Sequence, residues 1–339
     1  MRPTVKDLAK VAGVSLATVD RVLNERPNAS KRAIHKVNEA IEQIGFVRNL
    51  AAANLAKSQT YQFRFVLPAA GDEFMREVIQ EVGATEAAMK ADQVSIDVKR
   101  IPIEDPHAVA NYLSSLSKDE VDGLAVMAPE SPQVRDAIAR LVERGIKVVR
   151  FMSGSADDES ADFVGINNHA AGGTAARLTG RFNADRPGQV MVLAETMRAQ
   201  ESIERRLGFD KVINASFPSL QVLPSLETHA DPARTREVVK RSIEQNQIVA
   251  VYVMSAEARV PVISIAEFLD LNDVLVITHE RTPFTVQHLC QGTIDAIIAQ
   301  NPGHAVRSAT RVMKARSENR EPVVSQETLR IEVLLPDNL

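Results

Sequence analysis

The sequence predicts an α-helical head followed by an α/β body of two doubly wound parallel-sheet subdomains, and three observations predict it. The first sixty residues hold three short amphipathic helical patterns around a glycine turn. Beyond residue 60 the pattern changes to alternating strand and helix, as in parallel sheets wrapped by helices. Charge divides at the same place. Ten basic and five acidic residues put the first sixty at +5, and the whole 339-residue chain is at −4, which leaves −9 for the rest.

In the head, Thr4 is placed to cap a first helix, with Asp7 as its capping-box partner and Val5, Leu8 and Ala9 as the buried stripe. Gly13 supplies the turn, and Ser15 caps a second helix over 16–23 whose Val19, Val22 and Leu23 face the first. Leu16, Ala17, Asp20 and Arg21 are left facing outward, the disposition of a recognition helix entering a DNA major groove. Ser30 caps a third helix in which Ile34, Val37, Ile41 and Ile44 close the core. Any small helical bundle has capped amphipathic helices, but a basic head on an acidic body favours nucleic acid.

In the body, strand-like runs fall at 63–67, 94–101, 123–127, 148–151, 190–194, 220–226, 249–254 and 274–278, with a last one at 329–335. Amphipathic stretches lie between them at 74–91, 132–143, 172–182, 203–215, 232–245 and 260–269. In such sheets ligands bind at the carboxyl ends of the strands. At ~150 residues per domain the chain is longer than one unit, and a 45% hydrophobic, 25% charged balance is that of a globular protein.

One cysteine, Cys290, excludes an internal disulfide framework and a cysteine metal cluster. The first residues do not form a signal peptide, and no apolar run approaches the ~18 residues of a membrane span, so a cytoplasmic protein without membrane partners is expected. There is no phosphate-cradling Gly-x-x-x-x-Gly-Lys, no Gly-x-Gly-x-x-Gly after the first strand and no His-Glu-x-x-His. Binding is therefore expected rather than catalysis, with no cofactor and no metal.

The run Val-Ala-Gly-Val-Ser-Leu-Ala-Thr-Val-Asp-Arg-Val-Leu-Asn from Val11 to Asn24, followed by Gly45-Phe-Val-Arg-Asn-Leu-Ala-Ala-Ala-Asn-Leu55, closely resembles the LacI/GalR family of bacterial transcription regulators. The resemblance implies operator contacts from Thr4, Ser15, Leu16, Ala17, Thr18, Asp20, Arg21 and Asn24. It also implies a hinge helix in which Asn49 and Ala52 match the family pattern and Leu55 wedges into the minor groove. Asp20 stands where serine is usual; its carboxylate disfavours a phosphate but is able to accept from a cytosine amino group. Arg48 replaces a usual proline and Ala53 a common arginine, which changes the hinge entry and removes a cation.

For the body, the resemblance implies a fold of periplasmic-binding-protein type, with the chain crossing between lobes near Asp162, 289–293 and 320–324. The domains then run 1–47 for the head, 48–60 for the hinge and linker, and 61–339 for the effector-binding body. Within the body, 61–162 and 292–322 form one lobe and 163–290 and 323–335 the other.

Cleft positions carried over are Asp72, Phe74, Asn167, Arg205, Ser255, His279, Glu280 and Gln300. Phe74 stacks on a sugar face or else is a buried helix-start residue. Asn167 replaces the usual acid of an Asp-Asn-x-x-Ala-Gly signature, and alone is a polar turn opening a helix. Arg205 offers a rigid donor fork, Glu280 the carboxylate that grips hydroxyls, and Gln300 either a ligand contact or a helix-start cap. This set suits a neutral polyhydroxyl compound. The expectation is a homodimeric regulator, a repressor, that binds a pseudo-palindromic operator under control of a small sugar or sugar alcohol. A purine or nucleoside effector, or a transport solute-binding protein, are the alternatives.

Overall fold

The computed structural model describes residues 3–23, 29–46, 60–154, 161–183 and 186–339. The chain separates into two compact units, Met1–Gln59 and Thr60–Leu339.

The described part of the first unit is three helices, α1 (Val5–Ala12), α2 (Leu16–Leu23) and α3 (Lys31–Ile44). Thr4 and Asp7 form the reciprocal capping box, and Gly13 ends α1 in the left-handed region at φ 60°. A side chain there is strained, and glycine is not. Ser15 accepts from the Thr18 amide at 3.1 Å, and Ser30 caps α3 through Ala33. Leu8, Ala9, Ala12, Val19, Val37, Ala40 and Phe46 make the core. Two expected core members are on the surface. Val5 and Ile34 are exposed, whereas Ala12 and Ala40 of the same helices are buried.

The second unit opens with β1 (Tyr61–Pro68), α4 (Glu73–Met89), β2 (Val94–Ile101), α5 (Pro106–Ser115), β3 (Gly123–Val126), α6 (Pro132–Glu143), β4 (Lys147–Phe151) and β5 (Asp162–Val164). These strands form a parallel sheet in the order β2-β1-β3-β4-β5. Alternate side chains serve opposite faces, as a period of two requires. Phe63, Phe65, Val149 and Phe151 pack on one face, and Val66, Leu124, Val126 and Val148 on the other, under α5 and α6. Each fully buried Phe or Leu contributes about 1.5–3 kcal/mol of transfer free energy.

The second sheet follows with α7 (Asn168–Phe182), β6 (Gly188–Ala194), α8 (Gln200–Ser216), β7 (Leu220–Val222), β8 (Leu226–Glu227), α9 (Pro232–Gln245) and β9 (Ile248–Val253). It continues through α10 (Arg259–Ala266), β10 (Leu275–His279), α11 (Pro283–Cys290) and β11 (Ala296–Ala299). Then come α12 (Pro302–Ser317), α13 (Val324–Glu327) and β12 (Glu332–Leu334). The order is β12-β11-β10-β9-β6-β7, with β8 also on β6 and β12 antiparallel to β11.

Three details differ from the sequence reading. The run at 220–226 is two short strands, both paired to β6. The expected crossing at 289–293 is a turn within the second lobe, since β11 pairs with β10; the chain crosses at 300–301, after which α12 packs on the first sheet. A lobe boundary at 292 is therefore displaced to about Gln300. The other crossings fall at 165–167, because Asp162 lies in β5, and at 328–331, between α13 and β12, rather than at 320–324.

Candidate functional site

Four buried polar residues of the second lobe, Asn168, Arg205, Glu280 and Gln300, gather where its strands end. Gly172 of α7 and Gly208 of α8 let the two helices approach backbone to backbone; a Cβ on either would stand 1.9 Å from a carbonyl oxygen of the other helix, Arg205 and His169 respectively. That approach carries Arg205 under the sheet edge, where only 5% of it is exposed. Each of its three nitrogens donates once. Nε donates to Asn168 Oδ1 at 2.9 Å, Nη1 to the Met254 carbonyl at 2.6 Å and Nη2 to Glu280 Oε1 at 3.4 Å.

Glu280 ends β10 with φ at +62°, a left-handed conformation for a residue with a side chain. The surroundings hold it there: its amide donates to Ile298 O at 2.9 Å and Thr285 Oγ1 donates to its carbonyl at 2.9 Å. Gln300 Nε2 donates to Glu280 Oε1 at 3.0 Å. Glu280 Oε2 and Gln300 Oε1 are buried without a hydrogen-bond partner. Such atoms cost stability unless a donor reaches them. Burial pushes the Glu280 carboxyl up, against the lowering effect of Arg205 and Gln300, and Asp72 from the first lobe pushes it further.

His279 and Tyr252 lie beneath. The Tyr252 hydroxyl and His279 Nε2 are 2.7 Å apart, both residues are fully buried, and His279 Nδ1 has no partner. Burial first, then Arg205, holds the imidazole well below its ordinary value, so the ring is neutral.

Of the eight expected cleft residues, Arg205, Glu280 and Gln300 come into direct contact, with His279 alongside. Asp72 caps α4 through the Met75 amide at 2.9 Å and acts on Glu280 across the lobes. Phe74 is 4% exposed and packed in the core, which is the buried alternative and not an open stacking face. Asn167 is exposed and caps α7 through Ala170; the neighbouring Asn168, not singled out in the sequence, is the asparagine that reaches Arg205. Ser255 accepts from the Glu195 amide at 2.5 Å and does not join the cluster. Gln300 is no helix cap, since Asn301 caps α12.

Two contacts join the lobes beside this cluster. Arg259 Nη2 donates to Glu73 at 2.6 Å, with the Phe284 amide on the same carboxylate at 3.4 Å, and Ser153 Oγ donates to Glu201 at 3.4 Å. Among the described residues, no group of His, Cys, Asp or Glu is placed to hold a metal ion, and no helix is long and apolar enough to cross a membrane.

In the head, Leu16, Ala17, Asp20 and Arg21 of α2 are exposed on one stretch of helix. Thr18 is half-buried, its hydroxyl 2.8 Å from that of Ser15, and the Thr4 hydroxyl donates to Asp7 at 2.7 Å. Asn24, Asn49, Ala52 and Leu55, with the whole expected hinge, lie outside the described residues.

A helix-turn-helix in one unit and a two-lobed α/β body with a buried polar cluster in the other define a class of ligand-responsive regulators. Residues 4–49 match the bacterial regulatory proteins of the lacI family, and residues 63–321 match the periplasmic binding protein domain. The chain thus joins a helix-turn-helix domain of the lacI family to a body that belongs to the periplasmic binding protein domain family.

The transcriptional regulator RegA of Clostridium saccharobutylicum is 32% identical over 151 residues, a match covering 44% of this chain and 43% of RegA. The transcriptional repressor PurR of Histophilus somni is 24% identical over 246 residues, 72% of this chain and 71% of PurR. The body also resembles a solute-binding protein from Burkholderia graminis solved with D-arabinose, at TM-score 0.69 and 22% identity, covering 82% of this chain and 96% of that one. At that identity the likeness is one of fold.

Proposed function

We propose that this chain is a transcriptional repressor that binds a pseudo-palindromic operator as a homodimer and is controlled by a small sugar or sugar alcohol held between its lobes. The observation that carries the ligand reading is the Arg205–Glu280–Gln300 cluster. It leaves two buried acceptors without donors, Glu280 Oε2 and Gln300 Oε1, at the carboxyl ends of β10 and β11. A ligand hydroxyl donates to such an acceptor and removes the penalty of leaving it unmade. That the Burkholderia graminis relative in fold holds D-arabinose agrees with this choice.

DNA is contacted by Thr4, Ser15, Leu16, Ala17, Thr18, Asp20, Arg21 and Asn24 from the head, and by Asn49, Ala52 and Leu55 from the hinge. The exposed row Leu16, Ala17, Asp20 and Arg21 on α2 supports these four of the first set. Coupling follows if the ligand prefers one arrangement of the lobes and that arrangement supports or melts the hinge.

The test is a melting-temperature screen against pentoses, hexoses, sugar alcohols and nucleosides, because a ligand that binds only the folded state raises the midpoint. A polyol that raises it supports the reading. A response to nucleosides alone replaces the effector class.

A further inference from the structure

We propose that the cleft takes a polyol bearing a primary ammonium group, an amino sugar or amino alditol, in preference to a neutral sugar. This deepens the sugar reading and rests on it.

The chain topology brings acidic residues from both lobes to one place. Asp72 follows β1 and Glu104 follows β2 in the first lobe; Glu195 and Glu201 follow β6, and Glu257 follows β9, in the second. Four of the five stand just beyond the carboxyl end of a parallel strand, where the cleft lies, and Glu201 is in the first turn of α8. Ser153 of the first lobe, whose hydroxyl lies 3.0 Å from the Ala128 carbonyl, is 3.4 Å from Glu201 of the second, so one acid of the second lobe reaches the first.

Glu280 adds an independent observation. Only 1% of it is exposed, Oε1 is occupied by Gln300 and Arg205, and Oε2 has no partner. Gln300 Oε1, on a residue 4% exposed, is a second acceptor in the same condition. The charge of Asp72 raises both the Glu280 and the Glu195 carboxyl.

Three arginines nearby are already hydrogen-bonded, one of them to Glu280 of the cluster itself. The three donor nitrogens of Arg205 go to Asn168, Met254 O and Glu280; Arg259 is held on Glu73, and Arg100 on the carbonyls of Pro68 and Ala69. Arg76 is the cation that acts on Asp72. The Glu195 carboxyl is raised by desolvation first and then by Asp72, Glu257, Glu104 and Glu201, all of them acids.

An ammonium group has three donors and no acceptor, so it matches acceptors in excess, whereas a hydroxyl brings an acceptor of its own. Its hydrogen bonds to carboxylates are about twice as strong as neutral ones. Phosphorylated and carboxylated sugars meet the opposite field.

The test uses the full chain and matched pairs: D-glucose and D-glucosamine, D-galactose and D-galactosamine, D-mannose and D-mannosamine. Melting shifts rank them, and calorimetric titration of the best pair gives affinities for the parent, Asp72→Asn and Glu195→Gln. The amine should bind about tenfold tighter than its neutral partner, and each variant should shrink that ratio. If neutral sugars bind as well as their amines, the ammonium is not selected while the sugar reading stands. If no member of any pair shifts the melt and a nucleoside does, both readings fall.

Discussion

Gly172 of α7 lies so close to Arg205 of α8 that a Cβ at position 172 would stand 1.9 Å from the Arg205 carbonyl oxygen. The absent side chain thus sets how deeply the arginine enters the cluster. Gly172→Ala forces backbone apart and is expected to cost at least about 1–3 kcal/mol. Gly173→Ala, whose added carbon meets Val212 at 3.4 Å, is the tolerated control. Urea unfolding midpoints of the two variants check the difference.

Arg205 and Glu280 are buried together, so removing one strands the other. Arg205→Ala leaves a buried carboxylate that accepts from Gln300 alone and should lower stability by about 3–5 kcal/mol. Glu280→Gln keeps the shape, removes the charge, and should weaken the effector about tenfold or more while operator affinity without effector stays unchanged. Chemical denaturation reads the first, and ligand titration beside operator binding reads the second. A folded Glu280→Gln protein with parental effector affinity would remove this residue from the site.

The sequence carried the periodic parts of this fold well. Residues 94–101, 132–143 and 232–245 have the predicted bounds because their patterns are complete within a single element. Four helices went unread: the single turn Val324–Glu327, and Pro106–Ser115, Pro283–Cys290 and Pro302–Ser317, although Asp105, Thr282 and Asn301 each stand as a capping residue before the proline. Strands Asp162–Val164 and Ala296–Ala299 are too short to show a period.

At the site, the chemistry of Arg205, Glu280 and Gln300 was legible, but which asparagine joins them was not. Asn167 and Asn168 are alike in sequence. The helix cap occupies the first of them, and that turns the second inward. Nor does the sequence show that Phe74 is consumed by the core.

His279 gives a dependence on pH with a definite sign. Below its ordinary value of 6.5 the unfolded chain protonates this ring, whereas the folded chain, which holds it well below that value, does not. Stability contributed above 6.5 is therefore lost as pH falls, by about 1.4 kcal/mol per unit, until the lowered native value is reached. Glu280 acts in the opposite sense, since its raised carboxyl is protonated first in the folded state as pH falls. Urea unfolding at pH 7.5 and 5.5 should show a steeper loss for the parent than for His279→Gln, because every other group is common to both.

Arg21 is exposed on α2 beside Ala17 and Asp20. Arg21→Ala should weaken operator binding by about 1–3 kcal/mol if the guanidinium reads a base, and should flatten the salt dependence by about one unit if it holds a phosphate. Binding to a labelled operator duplex across a salt series distinguishes the two. Leu55→Ala, at the proposed hinge, should lower specific affinity and DNA bending while sparing much of the non-specific binding.

The central claim is that occupation of the cleft by a sugar or amino sugar sets affinity for DNA. Its most direct test is titration of a labelled operator duplex with the full chain, with and without the ligand that best raises the melting temperature, in the parent and in Glu280→Gln. The account predicts a change in operator affinity of about 5-fold or more for the parent, within the usual range of allosteric coupling, and a much smaller one for Glu280→Gln at the same ligand concentration. Equal operator affinity of the parent with and without a ligand known to be bound would contradict it.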